Sequence, residues 1–495
     1  MPVERRPGRG VRSGVGRLRR SPAGRLLDGA LVTARRRRVP LHWTSVWGVV
    51  TAASASVFIA SGVFLMVVFV PSSDPTVYDG AYAPMRGREM SEAYASTLRI
   101  VFDIPGGLLV RQAHHWSMQL LPASIVLQLL TTFFTGGFRR PRRTGWVLLL
   151  LLFVVALVGG WSGYGLPDDM LSGTGLQIVQ GITLALPVIG AWASGLLFGG
   201  AFPGVIIEHL AVIHFLVVPP LLILLLALRA ALAWRRQPAQ FPAPGRTEEN
   251  VVGVPLLPTA VLRLGGLFLL VTGVLLLVSA TVTVSPVWLY GPSDPGNASA
   301  GSQPDWYTGF LDGALRLVPS GWEFVWLGRT WTLYVLVPLA VVGLFLVVVL
   351  AYPFLEEWAS GDHREHHLLQ RPRDTPTRTG IGAAGTTFSA VLWGAGSADV
   401  MAHRFQLAFE QIILLEQAAL LIGPAAAFAL TRSVCSALQR SDRDLLLHGR
   451  ETGRIVRLPG GEFIEVHEPA SAGERWRILA AEQHDDRLAP EHYSS

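Results

Sequence analysis

The sequence predicts an all-α, polytopic membrane protein with eight transmembrane helices. Half of its 495 residues are apolar and only 15% are charged, a composition too hydrophobic for an ordinary soluble protein. Eight mainly apolar runs approach or exceed the roughly 17–25 residues needed to cross a bilayer core. They are 46–70, 108–135, 145–161, 205–228, 260–284, 331–353, 381–399 and 408–431, of which the seventh is the weakest because it is rich in Gly, Ala and Thr.

Arginine predicts the orientation of these spans, since the chain contains no lysine. Arginines cluster in the N-terminal tail and in the loops after the second, fourth and sixth runs, whereas 162–204 has none. Positive loops stay on the cytoplasmic side. We therefore expect a multi-pass protein of the cell membrane with both termini cytoplasmic and with loops 71–105, 162–204 and 285–330 outside. The basic tail is interpreted as a topogenic segment, not a nucleic-acid arm.

Composition divides the chain into four parts. We expect a basic, disordered cytoplasmic tail (1–40), a first group of four spans (41–235), a second group of four spans with an outer loop (236–432), and a charged cytoplasmic tail (433–495). In the last tail, two segments of alternating apolar and polar residues flank Pro459-Gly460-Gly461, which predicts a small hairpin. Residues 186–198 resemble a surface-lying helix on the outer face.

The single cysteine, Cys435, limits the redox chemistry of this chain. One thiol excludes an internal disulfide, a covalent C-x-x-C-H haem attachment and a cysteine-held iron–sulfur cluster. Any cofactor must be bound non-covalently, and further redox centres would belong to other chains.

Two histidines, His114 and His214, lie well inside the second and fourth spans, which run in the same direction. A lone membrane histidine is usually a hydrogen-bonded core residue, but two at similar depth indicate axial ligation of one b-type haem iron. Arg111, three residues before His114, would meet a haem propionate. Four glycines on the first and third spans would allow close approach of a flat macrocycle: Gly62, Gly159, Gly160 and Gly163. The first four spans would then form a haem-binding four-helix bundle.

Several long segments of the chain are distinctive. Examples are GLLVRQAHHW at 107–116, GYGLPDDMLSG at 163–173 and LLQRPRD at 368–374, and others are 133–142, 244–253, 300–307, 351–356 and 438–443. These segments resemble cytochrome b of the actinobacterial quinol–cytochrome c reductase. The resemblance extends over roughly residues 40–470.

The resemblance implies two stacked haems, of which this chain keeps one ligand set. His114 and His214 would ligate the outer, low-potential haem b, with His115 as the fallback ligand. The inner haem would need histidines at 128 and 229 and an arginine at 131, where Gln128, Arg229 and Thr131 stand. The second haem is therefore predicted to be absent. Arg229 either extends to the cytoplasmic surface or contacts Gln128.

An outer-loop tetrapeptide, Pro304-Asp-Trp-Tyr, resembles the family's Pro-Glu-Trp-Tyr motif at the quinol-oxidation site. Taken alone it would be an ordinary turn. The resemblance makes Asp305 the acceptor of a quinol proton, and Asp305 and Tyr307 the candidate catalytic residues. Tyr164 and the pair Asp168 and Asp169 either share this roof or, for the aspartates, form a solvated loop.

The resemblance implies a cytochrome b-type subunit of a menaquinol-oxidising reductase, an enzyme of the translocase class. Its partners would be a Rieske iron–sulfur subunit, a c-type cytochrome, membrane lipid and a second copy of the chain. The alternative is a non-catalytic structural or regulatory paralogue, because the inner electron path is interrupted. A transporter is not favoured, since no broken-helix pair or inverted repeat is visible.

Overall fold

The computed structural model describes residues 22–200, 202–294, 296–297, 303–476 and 478–479, and it is predominantly helical. The longer helices, in chain order, are α1 (Pro22–Arg36), α2 (Ser45–Val68), α3 (Glu92–Phe102), α4 (Gly107–Phe134), α5 (Arg143–Gly165), α6 (Met170–Leu184), α7 (Gly190–Phe198), α8 (Ile206–Arg235), α9 (Leu256–Thr281), α10 (Gly309–Arg316), α11 (Leu333–Ser360), α12 (Pro376–Gly396), α13 (Ala398–Phe405) and α14 (Phe409–His448). Three single 3₁₀ turns, Ala83–Met85, Val287–Leu289 and Pro372–Asp374, lie in the loops.

Seven of the described helices are long and apolar enough to cross a membrane: α2, α4, α5, α8, α9, α11 and α14. The predicted seventh run is present as the 21-residue helix α12, which packs against α14 and α10. Its many small and polar residues keep it out of the clearly apolar set. The membrane fold is confirmed, whereas the count of eight spans is not.

Helices α2, α4, α5 and α8 share one apolar core. Its fully buried members include Leu121 on α4, Leu152 on α5 and Leu222 on α8, and Phe58 of α2 packs with them. In a bilayer such side chains hold helices together through close van der Waals packing, because lipid chains are as apolar as the side chains themselves. The four helices therefore form a bundle whose interior is closed by side chains around the middle of its length.

Helix α8 contains a π-helical segment, Ile213–Val217, that includes His214. The Val218 N–H bonds the carbonyl of Ile213, five residues earlier. Pro219 and Pro220 follow at once and have no N–H to donate, which disturbs the ordinary i→i−4 pattern. Such bulges change the direction of a side chain and are frequent at functional sites.

The described strands form four short antiparallel pairs. They are β1 (Arg38–Val39) with β4 (Val254–Pro255), β2 (Pro75–Val77) with β3 (Glu89–Ser91), β5 (Glu323–Trp326) with β6 (Arg329–Thr332), and β7 (Arg450–Arg457) with β8 (Phe463–Glu468). The pair β7–β8 is the hairpin predicted around Pro459-Gly460-Gly461. The predicted surface helix within 186–198 is present as α7.

The N-terminal tail differs from the expectation of disorder in its second half. Residues 22–36 form α1, and the segment that follows is anchored to the bundle. The Arg37 guanidinium donates to the carbonyls of Ala233, Trp234 and Arg236 at the end of α8. A composition-based prediction missed this anchoring because the acceptors lie about 200 residues further along the chain. The first 21 residues lie outside the described part.

Candidate functional site

The rings of His114 on α4 and His214 on α8 face each other across the bundle. Their centroids are 5.9 Å apart at an interplanar angle of 76°. His114 also stacks on Phe58 of α2, at 4.4 Å. The similar depth predicted for the two histidines therefore corresponds to spatial proximity.

Each imidazole is held through its Nδ1 atom. For His114 this atom lies 3.0 Å from the Phe58 carbonyl and 3.1 Å from Ser61 Oγ, both on α2. For His214 it lies 3.1 Å from Ser162 Oγ on α5. Among the described residues neither Nε2 has a hydrogen-bond partner. An Nδ1–H held by a neighbour fixes the tautomer that offers Nε2 to a metal.

The spacing of the two rings fits one metal atom between them. Imidazole nitrogens bind metals at about 2.0–2.1 Å, so two rings on opposite sides of one atom have centroids roughly 6 Å apart. Glycines leave room beside both rings. A Cβ on Gly62 would lie 3.0 Å from His114 Cε1, and one on Gly163 would lie 2.6 Å from His214 Cε1.

The other two predicted glycines adjoin different neighbours. A Cβ on Gly159 would lie 2.9 Å from Val218, and one on Gly160 would lie 2.3 Å from the Tyr307 hydroxyl. All four glycines line one cavity of about 240 Å³ between the histidine pair and the outer loops. Gly160 therefore admits the tyrosine of the outer loop as well as lining the cavity.

Arg111 is buried at the outer end of this cavity. Its Nη1 donates to the Ser285 carbonyl at 3.0 Å. Within the described ranges it forms no ion pair, so no carboxylate in direct contact neutralises its charge. The residues present, two oriented imidazoles, a glycine-lined wall and a guanidinium without an ion pair, fit a haem with its propionates toward Arg111.

Asp305, in the loop before α10, accepts three side-chain hydrogen bonds. Gln119 Nε2 donates to Oδ1 at 2.7 Å, Tyr307 OH donates to Oδ2 at 2.7 Å, and His115 Nε2 lies 3.4 Å from Oδ1. The structure thus brings together both predicted catalytic residues, Asp305 and Tyr307, with two residues of α4. Gln119 was not identified from the sequence, and His115 was identified there only as a fallback haem ligand.

These contacts set the ionisation of the cluster. Burial raises the pKa of Asp305. Hydrogen bonds from His115, Tyr307 and Gln119, together with the attraction of His115, lower it by more than burial raises it, so the net pKa lies below the usual value. Burial and the nearby Asp305 carboxylate raise the pKa of Tyr307 well above 10. At neutral pH the pair is therefore a carboxylate and an un-ionised phenol.

A second and larger cavity, of about 1120 Å³, opens on the other side of Asp305. It follows the faces of α4 and α9 and is mainly apolar. Five residues line both cavities: His115, Tyr164, Asp169, Ser285 and Asp305. This wall separates a space beside the histidine pair from a space large enough for a lipid-like molecule with a ring headgroup.

The aspartates predicted as either roof or solvated loop belong to the roof. Asp169 is only 3% exposed, and its carboxylate caps α6 by accepting from the Leu171 and Ser172 N–H groups at 3.0 Å. Asp168 is part-buried beside it in a left-handed conformation (φ 53°). Burial raises the pKa of Asp168 to about 6. The solvated alternative is wrong because the outer loops fold over this turn.

The three inner positions form no histidine site. The Arg229 Nη2 donates to Gln128 Oε1 at 2.9 Å, and Arg229 Nη1 donates to the Gly145 carbonyl at 3.0 Å. Thr131 bonds back to carbonyls of its own helix. Of the two alternatives for Arg229, the structure has the contact with Gln128.

The helical bundle with two facing, oriented histidines and a polar outer roof defines a membrane protein of the cytochrome b class. Residues 119–292 match the family model described as "Cytochrome b(N-terminal)/b6/petB". The "Cytochrome bc1 complex cytochrome b subunit" of Streptomyces coelicolor is 45% identical over 463 residues, 93% of this chain and 85% of that protein. The Mycobacterium tuberculosis protein of the same description is 44% identical over 432 residues, 87% of this chain and 78% of that protein.

These identities show that the chain belongs to the family of cytochrome b subunits of the cytochrome bc1 complex. A solved structure described as "Hyperthermophilic respiratory Complex III" matches with a TM-score of 0.62, covering 86% of this chain and 99% of that one. At 18% identity this match supports the fold alone.

Proposed function

We propose that the chain is the cytochrome b subunit of a menaquinol:cytochrome c reductase that oxidises quinol at its outer face and binds a single b haem. The observation that carries this proposal is the pair His114 and His214. Both rings are held through Nδ1, stand 5.9 Å apart and lie beside the Asp305 cluster. A structural bundle has no need for two inward-facing histidines whose Nε2 atoms have no hydrogen-bond partner among the described residues.

In this proposal His114 and His214 bind the haem iron through Nε2, and Arg111 binds a propionate. The haem, when bound, accepts one electron. Gly62 and Gly163 keep the space beside the rings open, and Phe58 and Ser162 fix the imidazole orientations. The surrounding apolar side chains exclude water from the redox centre.

The larger cavity is the proposed quinol site. Its apolar length along α9 suits an isoprenoid tail, and its polar end at Asp305 suits the hydroxyls of the ring. Tyr307 holds Asp305 in place through a 2.7 Å hydrogen bond, and Gly160 makes room for the tyrosine. The proton released by quinol oxidation leaves at this end of the cavity.

The inner site is proposed to hold no haem. Gln128 and Arg229 bond each other where the family would have two ligands, and an arginine does not ligate haem iron. The inward electron path then ends at the outer haem. A reductase of this kind passes that electron to an acceptor other than a second haem of the same chain.

The remaining assignments follow from the family and the charge pattern. A Rieske iron–sulfur subunit and a c-type cytochrome would supply the outward electron path, and a second copy would form a dimer. Both termini would lie in the cytoplasm. The first four spans (41–235) would be the haem-binding part and 236–432 the part with the quinol-site loop, with tails at 1–40 and 433–495.

The contact between Gln128 and Arg229 also favours a second candidate function, a non-catalytic paralogue that occupies a complex. Haem content separates the two. We expect one b haem per purified chain, with a reduced b-type spectrum that is lost in His214→Ala. A value of two would contradict the single-haem assignment. A value of zero would leave the non-catalytic function.

A further inference from the structure

The hairpin of β5 and β6 carries an exposed cluster of large apolar side chains immediately before α11. Of the six residues from Trp322 to Leu327, all except Glu323 are apolar, and each of these five is at least 45% exposed. They include two tryptophans and a phenylalanine. Single exposed apolar residues are ordinary, but a contiguous group of this size indicates a surface that another molecule or phase covers.

The strand register groups three aromatic rings on one face of the hairpin. Phe324 pairs across the strands with Trp331, and Trp326 pairs with Arg329. The Trp331 ring lies 6.2 Å from that of Phe324 and 5.5 Å from that of Trp326. Successive side chains of a strand point to opposite faces, so Val325, which is 75% exposed, lies on the other face. The apolar surface is therefore not confined to one side of the hairpin.

The turn of the hairpin adds an apolar tip. Leu327 and Gly328 form a two-residue turn in which both have positive φ, 53° and 68°. Such turns favour Asn, Asp or Gly at the first position, because the Cβ of other residues is crowded in the left-handed region. Leu327 is also 77% exposed. A residue unfavourable both for its backbone and for contact with water indicates a role outside the chain.

The position of α11 in the membrane places the base of the hairpin at the bilayer boundary. The helix begins at Leu333, directly after β6, and near its other end Glu356 pairs with Arg378. Charged pairs avoid the hydrocarbon core. At about 1.5 Å per residue, Leu333 lies some 35 Å from Glu356, about 5 Å more than the thickness of that core. The Tyr334 N–H donates to the Trp322 carbonyl at 3.2 Å, which holds the hairpin against the start of the helix.

We propose that the β5–β6 hairpin inserts its tip and its aromatic face into the headgroup region of the bilayer, with lipid and not a partner subunit as the occupant. A protein docked on one face would leave the tip and Val325 in water, whereas the lipid interface surrounds all three. Tryptophan is enriched at this depth. Arg329 has no ion pair within the described ranges and lies beside the aromatic face, where a lipid phosphate suits its charge. The proposal concerns membrane attachment and does not depend on electron transfer.

Spin labelling measures what surrounds the tip. Cys435→Ala removes the native thiol, and a single label is attached in Leu327→Cys. Leu344→Cys on the exposed side of α11 is the lipid reference, and Glu462→Cys in the turn of the β7–β8 hairpin is the water reference. The full-length chain, purified with its bound subunits, is placed in nanodiscs of phosphatidylcholine and phosphatidylglycerol. Power-saturation EPR compares collisions of the label with oxygen, which concentrates in lipid, and with a neutral nickel chelate, which stays in water.

We expect the ratio of oxygen to nickel collisions in Leu327→Cys to be at least about fivefold that in Glu462→Cys, as for a segment buried some 5–10 Å into the interface. It should remain below the ratio in Leu344→Cys. Frequent collisions with nickel would place the tip in water. Few collisions with either reagent would place it under a protein subunit. Either of these two results overturns the proposal.

A second pair of variants tests whether the tip itself holds the hairpin in the lipid. Leu327→Asn suits the left-handed backbone, so the turn is preserved while its apolar side chain is lost. Leu327→Met is the matched control, because it keeps an apolar tip. With the label in Val325→Cys, we expect the collision ratio to fall at least about threefold in Leu327→Asn and to stay unchanged in Leu327→Met. Equal ratios in the two variants would overturn the anchoring role of the tip.

Discussion

The Nη2 atom of Arg229 on α8 lies 2.9 Å from Oε1 of Gln128 on α4, so the two non-histidine residues of the inner position are bonded to each other. Gln128 continues the contact to Thr51 Oγ1 of α2 at 2.5 Å, and Thr51 is 2.7 Å from Ser124 Oγ. Within the described ranges no carboxylate pairs with Arg229. A cation in a membrane bundle is costly, and this polar chain with the Gly145 carbonyl is what compensates it.

The first prediction concerns this polar chain. Replacing both Gln128 and Arg229 by His is expected to raise the haem content from one to two per chain. The two changes remove the Arg229–Gln128 contact from the inner position and supply a second ligand pair there. Haem-to-protein ratio and the reduced spectrum measure it.

Each single replacement is the matched control, since one histidine cannot ligate the iron axially from both sides. We expect one haem in both single variants. A double variant that folds with one haem would show that more than the ligand pair has been lost, with Thr131→Arg as the next addition.

The second prediction concerns the space beside His214. Gly163→Ala would put a Cβ 2.6 Å from the ring of His214, whose Nδ1 is tied to Ser162, so the ring must turn away from its position. We expect at least half of the haem to be lost. Haem content per purified chain measures the effect.

Gly145→Ala on the same helix is the control, because its Cβ would meet nothing within 4 Å. It should leave haem content unchanged and favour the helix slightly. Full haem occupancy in Gly163→Ala would show that the histidine pair tolerates displacement and that haem binding does not require Gly163.

The third prediction concerns Tyr307. Tyr307→Phe removes the hydrogen bond to Asp305 Oδ2, and a hydrogen bond to a charged group contributes about 1.5–3 kcal/mol. The pKa of Asp305 should rise toward its usual value. The rate of quinol-dependent haem reduction should nevertheless fall roughly 10- to 100-fold, because the carboxylate is no longer held in position by the hydroxyl.

The phenylalanine keeps the ring beside Gly160, so the packing is preserved and haem content is the control for folding. Asp305→Glu, which restores the acid of the family motif, tests the same contact from the other side and should retain more activity than Asp305→Asn. An unchanged rate in Tyr307→Phe would contradict a positioning role for the hydroxyl.

How far the sequence predicted this site depended on sequence distance. The pairing of His114 and His214 was accessible because hydropathy and helix direction fix the depth of a residue in the bilayer. The contact of His115 with Asp305 could not be predicted from the sequence, because the two residues are 190 positions apart and their approach depends on how the loop after α9 folds over α4. Gln128 and Arg229 were recognised as altered positions, but only packing distinguished a mutual contact from exposure at the cytoplasmic surface. The π-helical turn at His214 had a local signal in Pro219 and Pro220. Helix α12 lacked a clear local signal, because its small residues are packed only when α10 and α14 lie against it.

The last prediction concerns Asp168 in the outer roof, whose pKa burial raises from 3.8 to about 6. A raised carboxyl pKa means that the folded state favours the protonated form. The ionised group therefore costs stability above about pH 6, by at most about 3 kcal/mol, and this cost disappears as the pH falls toward 4. Asp168→Asn should raise the thermal midpoint of the complex by a few degrees at pH 8 and leave it unchanged at pH 4.

Asparagine tolerates the left-handed backbone at position 168, φ 53°, so the change tests the charge and not the conformation. Asp74→Asn, at an exposed position of the first outer loop, is the control and should have no effect at either pH. A gain that is equal at pH 8 and pH 4 would mean that burial of the charge is not its cause.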